Sequence, residues 1–209
     1  MFRMEDFTIY IIDDEEDIRI SLTRSLTKRG YKVESFSSAD SFLNTYNRTN
    51  SGCLLLDYGM PEMNGLELQN TLIEMEISIP IIFMTGHGGI PQSVQAIKAG
   101  AIDFLEKPFQ QKVLLKAIDT AFEQATSLNE DIEGANALKA KFETLTTREK
   151  EIAEFIVQNP ADTSSKYIGR QLDVSPRTID HHRARVLEKM DVTSVAELIE
   201  KAIKSNLFS

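Results

Sequence analysis

Cysteine is nearly absent from this chain of 209 residues: Cys53 stands alone. A single thiol excludes an internal disulfide framework, and its place in an apolar run marks it as a core residue. Long apolar runs are absent too. No stretch reaches the ~20 residues of a membrane span, and no signal-peptide pattern opens the sequence, so a reducing cytoplasm is the expected location. Internal repeats and low-complexity segments are missing, which argues against solenoids and tail-like chains. Positive charge is scarce, with 23 Lys and Arg against 32 Asp and Glu. Residues 1–125 hold eleven of the cations and eighteen of the acids. Residues 163–190 reverse the balance, with six cations against three acids, and local basicity of that kind can face nucleic acid even in an acidic chain.

The hydrophobic content of 42% suffices for real cores, and the length suits one large domain or two small ones. Apolar runs at 7–12, 31–36, 52–56, 80–85 and 101–105 predict strands, and helical patterns cover 15–29, 39–47, 64–75, 91–99 and 110–126. Five such alternations predict an α/β, doubly wound, five-stranded parallel sheet covered on both faces. Gly30 is a candidate end for the first helix, and Ser38 or Asp40 can cap the second. Asp13 and Asp14, Asp57, Thr85 and Lys107 each stand directly behind one of the runs. Ligands of open parallel sheets bind beyond the carboxyl ends of the strands, so these groups are expected on one edge. Carboxylates supply oxygens for Mg²⁺, which keeps several waters. The turn at Gly59-Met60-Pro61 lets a backbone carbonyl point back toward the metal. Lys107 offers a point charge and Thr85 a hydroxyl to a phosphoryl group. Lys107 precedes Pro108, a candidate cis proline. The loop Gly86-His-Gly-Gly89 lacks the spacing of a nucleotide-binding loop, and His87 has no second ligand near it in sequence.

Residues 110–143 read as a long helix in which Ile118, Ala121, Ala125, Leu128, Ile132 and Ala135 step by three and four, continued loosely by Leu138 and Phe142. This is either a dimer seam or a helix that packs on the sheet and then becomes a solvated connector. Gly134 is a plausible break, at about 1 kcal/mol relative to Ala. Residues 145–209 are expected to be all-helical. Thr146 to Glu149 and Ser194 to Glu197 read as capping boxes opening the first and last helices, and Ser175-Pro176 starts a helix over 176–190. A short turn at Asp173-Val174-Ser175 before that helix suggests helix-turn-helix recognition. Ile179, Val186 and Met190 mark its inner face. On the other side, Asp180, His181 and Ala184 can reach base edges, while Arg177, Thr178, Arg185 and Lys189 suit phosphates. The competing reading is a solvated helix with ordinary surface charge.

The segments Ile12-Asp-Asp-Glu-Glu16, Leu56-Asp-Tyr-Gly-Met-Pro61, Met84-Thr-Gly86 and Lys107-Pro108 resemble the receiver domain of two-component response regulators. Leu145-Thr-Thr-Arg-Glu149, Lys166-Tyr-Ile168, Val174-Ser-Pro-Arg-Thr-Ile179, His182-Arg183, Lys189-Met190 and Ser194-Val-Ala-Glu-Leu198 resemble the LuxR-type four-helix DNA-binding domain. Together the chain resembles a NarL/FixJ-type regulator, and the stretch from Thr85 to Phe109 most resembles the FixJ group. The resemblance implies a flavodoxin-like receiver over 6–125, a helical linker over 126–143 and a helix-turn-helix domain over 144–209. It implies phosphorylation at Asp57, Mg²⁺ held directly by Asp14, Asp57 and the Gly59 carbonyl, and Asp13 acting through water. Thr85, Lys107 and Phe104 carry over as switch residues, with Phe104 alternatively a permanent core ring. Lys166 and His182 join the DNA contacts. Val195 and Leu198, on the last helix, are dimer contacts or core. The implied partners are a sensor histidine kinase, double-stranded DNA with two-fold symmetry, a second copy on phosphorylation, and RNA polymerase, with no membrane. Departures from the family pattern at Ser165, Gly169 and His181 imply an operator of its own. Two rivals remain: a phosphotransferase or phosphatase-like enzyme turning over at Asp57, and a phosphate-independent binding module.

Overall fold

The computed structural model describes residues 7–47, 51–86 and 90–208, with side chains of 90–93 excepted. His87 and the two glycines after it fall outside the described residues. The chain forms two compact units, Met1–Asn129 and Glu130–Ser209.

The first unit holds strands β1 (Thr8–Ile12), β2 (Lys32–Phe36), β3 (Gly52–Asp57), β4 (Ile81–Thr85) and β5 (Asp103–Glu106). All neighbours pair in parallel in the order β2-β1-β3-β4-β5. Helices α1 (Glu16–Thr27), α2 (Ala39–Thr45), α3 (Gly65–Glu74), α4 (Ile90–Lys98) and the start of α5 (Gln111–Glu143) connect and cover them. β1, β3 and β4 are buried throughout, as a sheet covered twice requires. Alternate residues divide between the faces. Ile9, Ile11, Cys53, Leu55, Ile82 and Met84 pack with Leu26 of α1 and with α5. Tyr10, Ile12, Leu54, Leu56 and Phe83 pack with Phe42 of α2, Leu68 of α3 and Ala96 of α4. Two consecutive apolar faces explain why these strands read as unbroken runs. Ser38 and Asn64 cap α2 and α3 in reciprocal boxes. The turn after α1 passes through Gly30 at φ 89°, a left-handed conformation that favours glycine. The Lys107–Pro108 bond is cis.

The heptad seam is not a free surface. Ile118, Ala121 and Ala125 are buried in the core of the first unit, while Leu138 and Phe142 are buried in the core of the second. The first three therefore cannot pair with a second copy, because the sheet already covers them. Of the expected seam, Leu128 is half-buried and Ile132 is exposed. The expected break at Gly134 does not occur, and α5 runs through it. Good helix formers on both sides offset its cost of about 1 kcal/mol.

The second unit packs the end of α5 with α6 (Thr147–Gln158), α7 (Ser165–Gln171), α8 (Pro176–Met190) and α9 (Val195–Lys204). Thr146 opens α6 in a reciprocal capping box. Ser194 caps α9, but Glu197 turns to the Thr193 N–H and hydroxyl at 2.7 and 2.8 Å instead of closing a box. Leu198 is fully buried, which removes it as a direct dimer contact, and Val195 is half-buried against the same core.

Candidate functional site

β1, β3, β4 and β5 all end at one edge of the sheet. Parallel register sets Ile12 beside Leu56, Asp57 beside Met84 and Thr85 beside Glu106, so Asp13, Asp57, Thr85 and Lys107 leave the sheet within one residue of each other. The Lys107 ammonium lies 2.6 Å from Asp13 Oδ2 and 2.6 Å from Asp57 Oδ1. Asp13 and Asp57 are buried. The other oxygen of each accepts a backbone N–H: Glu15 donates to Asp13 Oδ1 at 2.9 Å and Gly59 donates to Asp57 Oδ2 at 2.7 Å. Thr85 is buried at the end of β4, and its carbonyl accepts the Lys107 N–H at 2.7 Å.

Two carboxylates and one ammonium leave an excess negative charge. Burial pushes the Asp13 carboxyl up, more than the hydrogen bonds from Lys107 and Glu15 pull it down. Burial would lower the Lys107 ammonium, but hydrogen bonds to Asp13 and Asp57, with their charges, hold it above its usual range. Burial and the shared ammonium thus pull the Asp13 carboxyl in opposite directions, and burial wins, while the two neighbouring carboxylates hold Lys107 charged.

Two buried carboxylates converging on one cation are a donor set of hard oxygens, which suits Mg²⁺ held by one or two carboxylates and waters. Asp14 does not complete a triad here. Its side chain is exposed, and among the described residues no three His, Cys, Asp or Glu side chains form a metal cluster. Phe104 is half-buried, with ring centroids 6.0 Å from Tyr58 and 5.9 Å from Phe83. Gly65, at the start of α3, backs the site: a Cβ there would lie 2.6 Å from the Asp57 carbonyl oxygen.

Sequence reasoning missed the Gly59 amide as a partner of Asp57, and it missed Arg19. The Arg19 guanidinium donates to the carbonyls of Asp13 and Asp14 at 2.7 and 2.9 Å. The available signal was a cation one turn into a helix that follows an acidic loop.

The second unit presents α8 with Ile179, Val186 and Met190 fully inside. Arg177, Thr178, Asp180, His181, Ala184 and Arg185 are exposed, His182 is half-buried, and Lys166 is exposed on α7. Ser175 caps the helix by accepting from Thr178 N–H at 3.1 Å. The turn before it lies close on α7, where a Cβ on Gly169 would come within 2.5 Å of the Val174 carbonyl oxygen. Two expected DNA contacts are already engaged. The Asp180 carboxylate accepts from Ser165 and, at 3.1 Å, from Arg183. Lys189 is 2.6 Å from the buried Glu149 carboxylate. This ion pair gives Lys189 an anchoring role within the helical unit that competes with the expected phosphate contact. Burial would raise Glu149, but the bonds from Lys189 and from the Thr146 N–H outweigh it and hold the carboxyl low.

Comparison with known proteins separates the same two halves. The model of the response regulator receiver domain matches residues 9–119, and that of the bacterial regulatory proteins, luxR family, matches 143–202. The transcriptional regulatory protein FixJ of Rhizobium meliloti is 41% identical over 200 residues, spanning 96% of this chain and 97% of that protein. The response regulator protein TmoT of Ectopseudomonas mendocina is 42% identical over 195 residues, spanning 93% and 87%. Among solved structures, the response regulator StyR superposes with a TM-score of 0.73 at 36% identity, covering 94% of this chain and 98% of that one. Full-length FixJ from B. japonicum gives 0.56 at 36% identity, covering 97% and 98%.

Proposed function

The chain belongs to the two-component response regulators of the NarL/FixJ type, with a receiver and a LuxR-type DNA-binding domain, and from that premise we propose that phosphorylation of Asp57 controls its binding to DNA. The observation that carries the proposal is the Lys107 ammonium shared by Asp13 and Asp57 at 2.6 Å. It supports the reading because a cation that can serve a phosphoryl oxygen already lies against the Asp57 carboxylate.

An Asp57 carboxylate oxygen bonds to phosphorus as the bond to the donor histidine of a sensor kinase breaks. The donor nitrogen keeps the electron pair. The pocket carries one net negative charge in its metal-free form, which opposes an incoming phosphoryl group. Asp14, Asp57 and the Gly59 carbonyl would hold Mg²⁺ directly and Asp13 through water, and the two charges of the ion would offset the carboxylates and stabilise the phosphoryl oxygens. Lys107 then leaves Asp57 for a phosphoryl oxygen, and the Thr85 hydroxyl donates to another. Movement of Thr85 opens room into which the Phe104 ring turns. The phosphoryl group biases the receiver only by interacting better with this second arrangement. That arrangement favours a dimer, which sets two α8 helices in major grooves of a two-fold DNA site about 34 Å apart. RNA polymerase is the downstream partner, and the cytoplasm is the place of action. No helix among the described residues is long and apolar enough to cross a membrane. Slow self-phosphorylation and hydrolysis at Asp57 are the extent of the chemistry.

The test is DNA affinity of the full chain with and without a phosphoryl donor, beside Asp57→Asn. The donor is expected to tighten binding of the wild type alone. Equal affinity in all conditions would remove phosphate control.

A further inference from the structure

One cation of α1 does more than solvate the helix. Arg19 is half-buried, and one nitrogen of its guanidinium donates to both the Asp13 and the Asp14 carbonyls, at 2.7 and 2.9 Å. Both carbonyls belong to the loop between β1 and α1. A trans peptide unit is planar, and its C=O and N–H point in opposite directions. A guanidinium that holds the Asp14 carbonyl from one side therefore turns the Glu15 N–H to the other. There it donates to Asp13 Oδ1 at 2.9 Å. That bond fixes the rotation of the Asp13 carboxylate and leaves Oδ2 on Lys107. The helix start has no competing device, because Glu15 at its N-cap makes no side-chain cap bond. We propose that Arg19 is a positioning residue: through the Asp14–Glu15 peptide it orients the Asp13 carboxylate for a divalent cation. The inference rests on the reading of Asp13 and Asp57 as the cation and phosphoryl site.

Charge alone predicts the opposite effect. A guanidinium near a cation site repels the cation, so its removal would tighten Mg²⁺ binding. Loss of an orienting partner weakens metal sites by about 10–100-fold. The two accounts differ in sign, which makes the experiment decisive. Full-length wild type, Arg19→Met, Arg19→Lys and Arg24→Met are compared by calorimetric titration with Mg²⁺. Arg24→Met, in the last turn of the same helix, matches the charge loss. Hydrogen exchange of the Glu15 amide is followed without metal, with the Gly59 amide as internal reference for an intact site. Arg19→Met is expected to weaken Mg²⁺ binding about tenfold or more and to lower Glu15 protection while Gly59 stays protected. Arg19→Lys is expected to recover part of both, because one ammonium can serve two carbonyls. Arg24→Met is expected to leave both unchanged or to tighten binding slightly. Unchanged or tighter Mg²⁺ binding by Arg19→Met, or unchanged Glu15 protection, would overturn the inference alone. A wild-type chain that takes up no Mg²⁺ would overturn the underlying site reading, and the inference with it.

Discussion

Replacing Lys189 by Met separates an anchor from a DNA contact. Its ammonium sits 2.6 Å from Glu149 Oε2, and Glu149 is buried at 5% exposure. Breaking a buried ion pair by removing one partner costs about 3–5 kcal/mol. Here the Lys189 side chain keeps about a third of its exposure, and the Thr146 N–H at 2.8 Å remains on the carboxylate. Both reduce the loss, to about 2 kcal/mol. In a unit the size of Glu130–Ser209, that lowers the melting temperature by roughly 8–16 °C. The pH dependence has a definite sign. Burial opposes the Glu149 charge but is outweighed, so the folded carboxyl titrates below its ordinary value of 4.5. Its stabilisation is complete above that value and is lost as pH falls through the folded one. The variant lacks this contribution and leaves a buried acid that protonates readily, so the gap to wild type narrows in acid. Calorimetry of the full chain reads the transition of the second unit. The slope of log affinity for DNA against log salt is read alongside. A phosphate contact would lower that slope by about 0.9, whereas an anchor leaves it unchanged. Unaltered melting with a reduced slope would refute the assignment.

Gly65→Ala is expected to destabilise the receiver by about 1–3 kcal/mol in urea unfolding, since the added carbon would meet the Asp57 carbonyl oxygen at 2.6 Å and the Phe83 ring at 2.8 Å. Ile118→Ala, at a fully buried site, is expected to cost about 2–5 kcal/mol. Ile132→Ser, on the exposed part of α5, is expected to stay within about 0.5 kcal/mol, and equal effects would contradict the division of the seam. Arg177→Ala is expected to weaken DNA binding across sequences and to reduce the salt slope by about 0.9, as loss of one phosphate contact does; an unchanged slope would remove it from the interface.

The sheet was legible because parallel strands buried on both faces must read as apolar runs, and β1 to β4 start or end within a residue of those runs. β5 was placed less well. Ala101 and Ile102 extend the apolar pattern, but the strand begins only at Asp103. The residues behind the runs were legible for the same reason: a strand end and a sheet edge are one place. What covers an apolar face was not legible. Ile118 and Leu138 share one periodicity, yet one is buried by the receiver and the other by the helical unit. Pairings across long sequence separations were also hidden. Nothing local to Lys189 points to Glu149, forty residues earlier. Arg19 was hidden differently. Its partners are backbone carbonyls, and composition records only side chains.

Intact-protein mass spectrometry after incubation with acetyl phosphate and Mg²⁺ tests the central claim most directly. The wild type is expected to gain one phosphoryl group, to lose it slowly by hydrolysis, and to gain none without Mg²⁺. Asp57→Asn is expected to gain none at all. An unmodified wild type, or the same adduct on Asp57→Asn, would contradict the assignment of Asp57 as the acceptor.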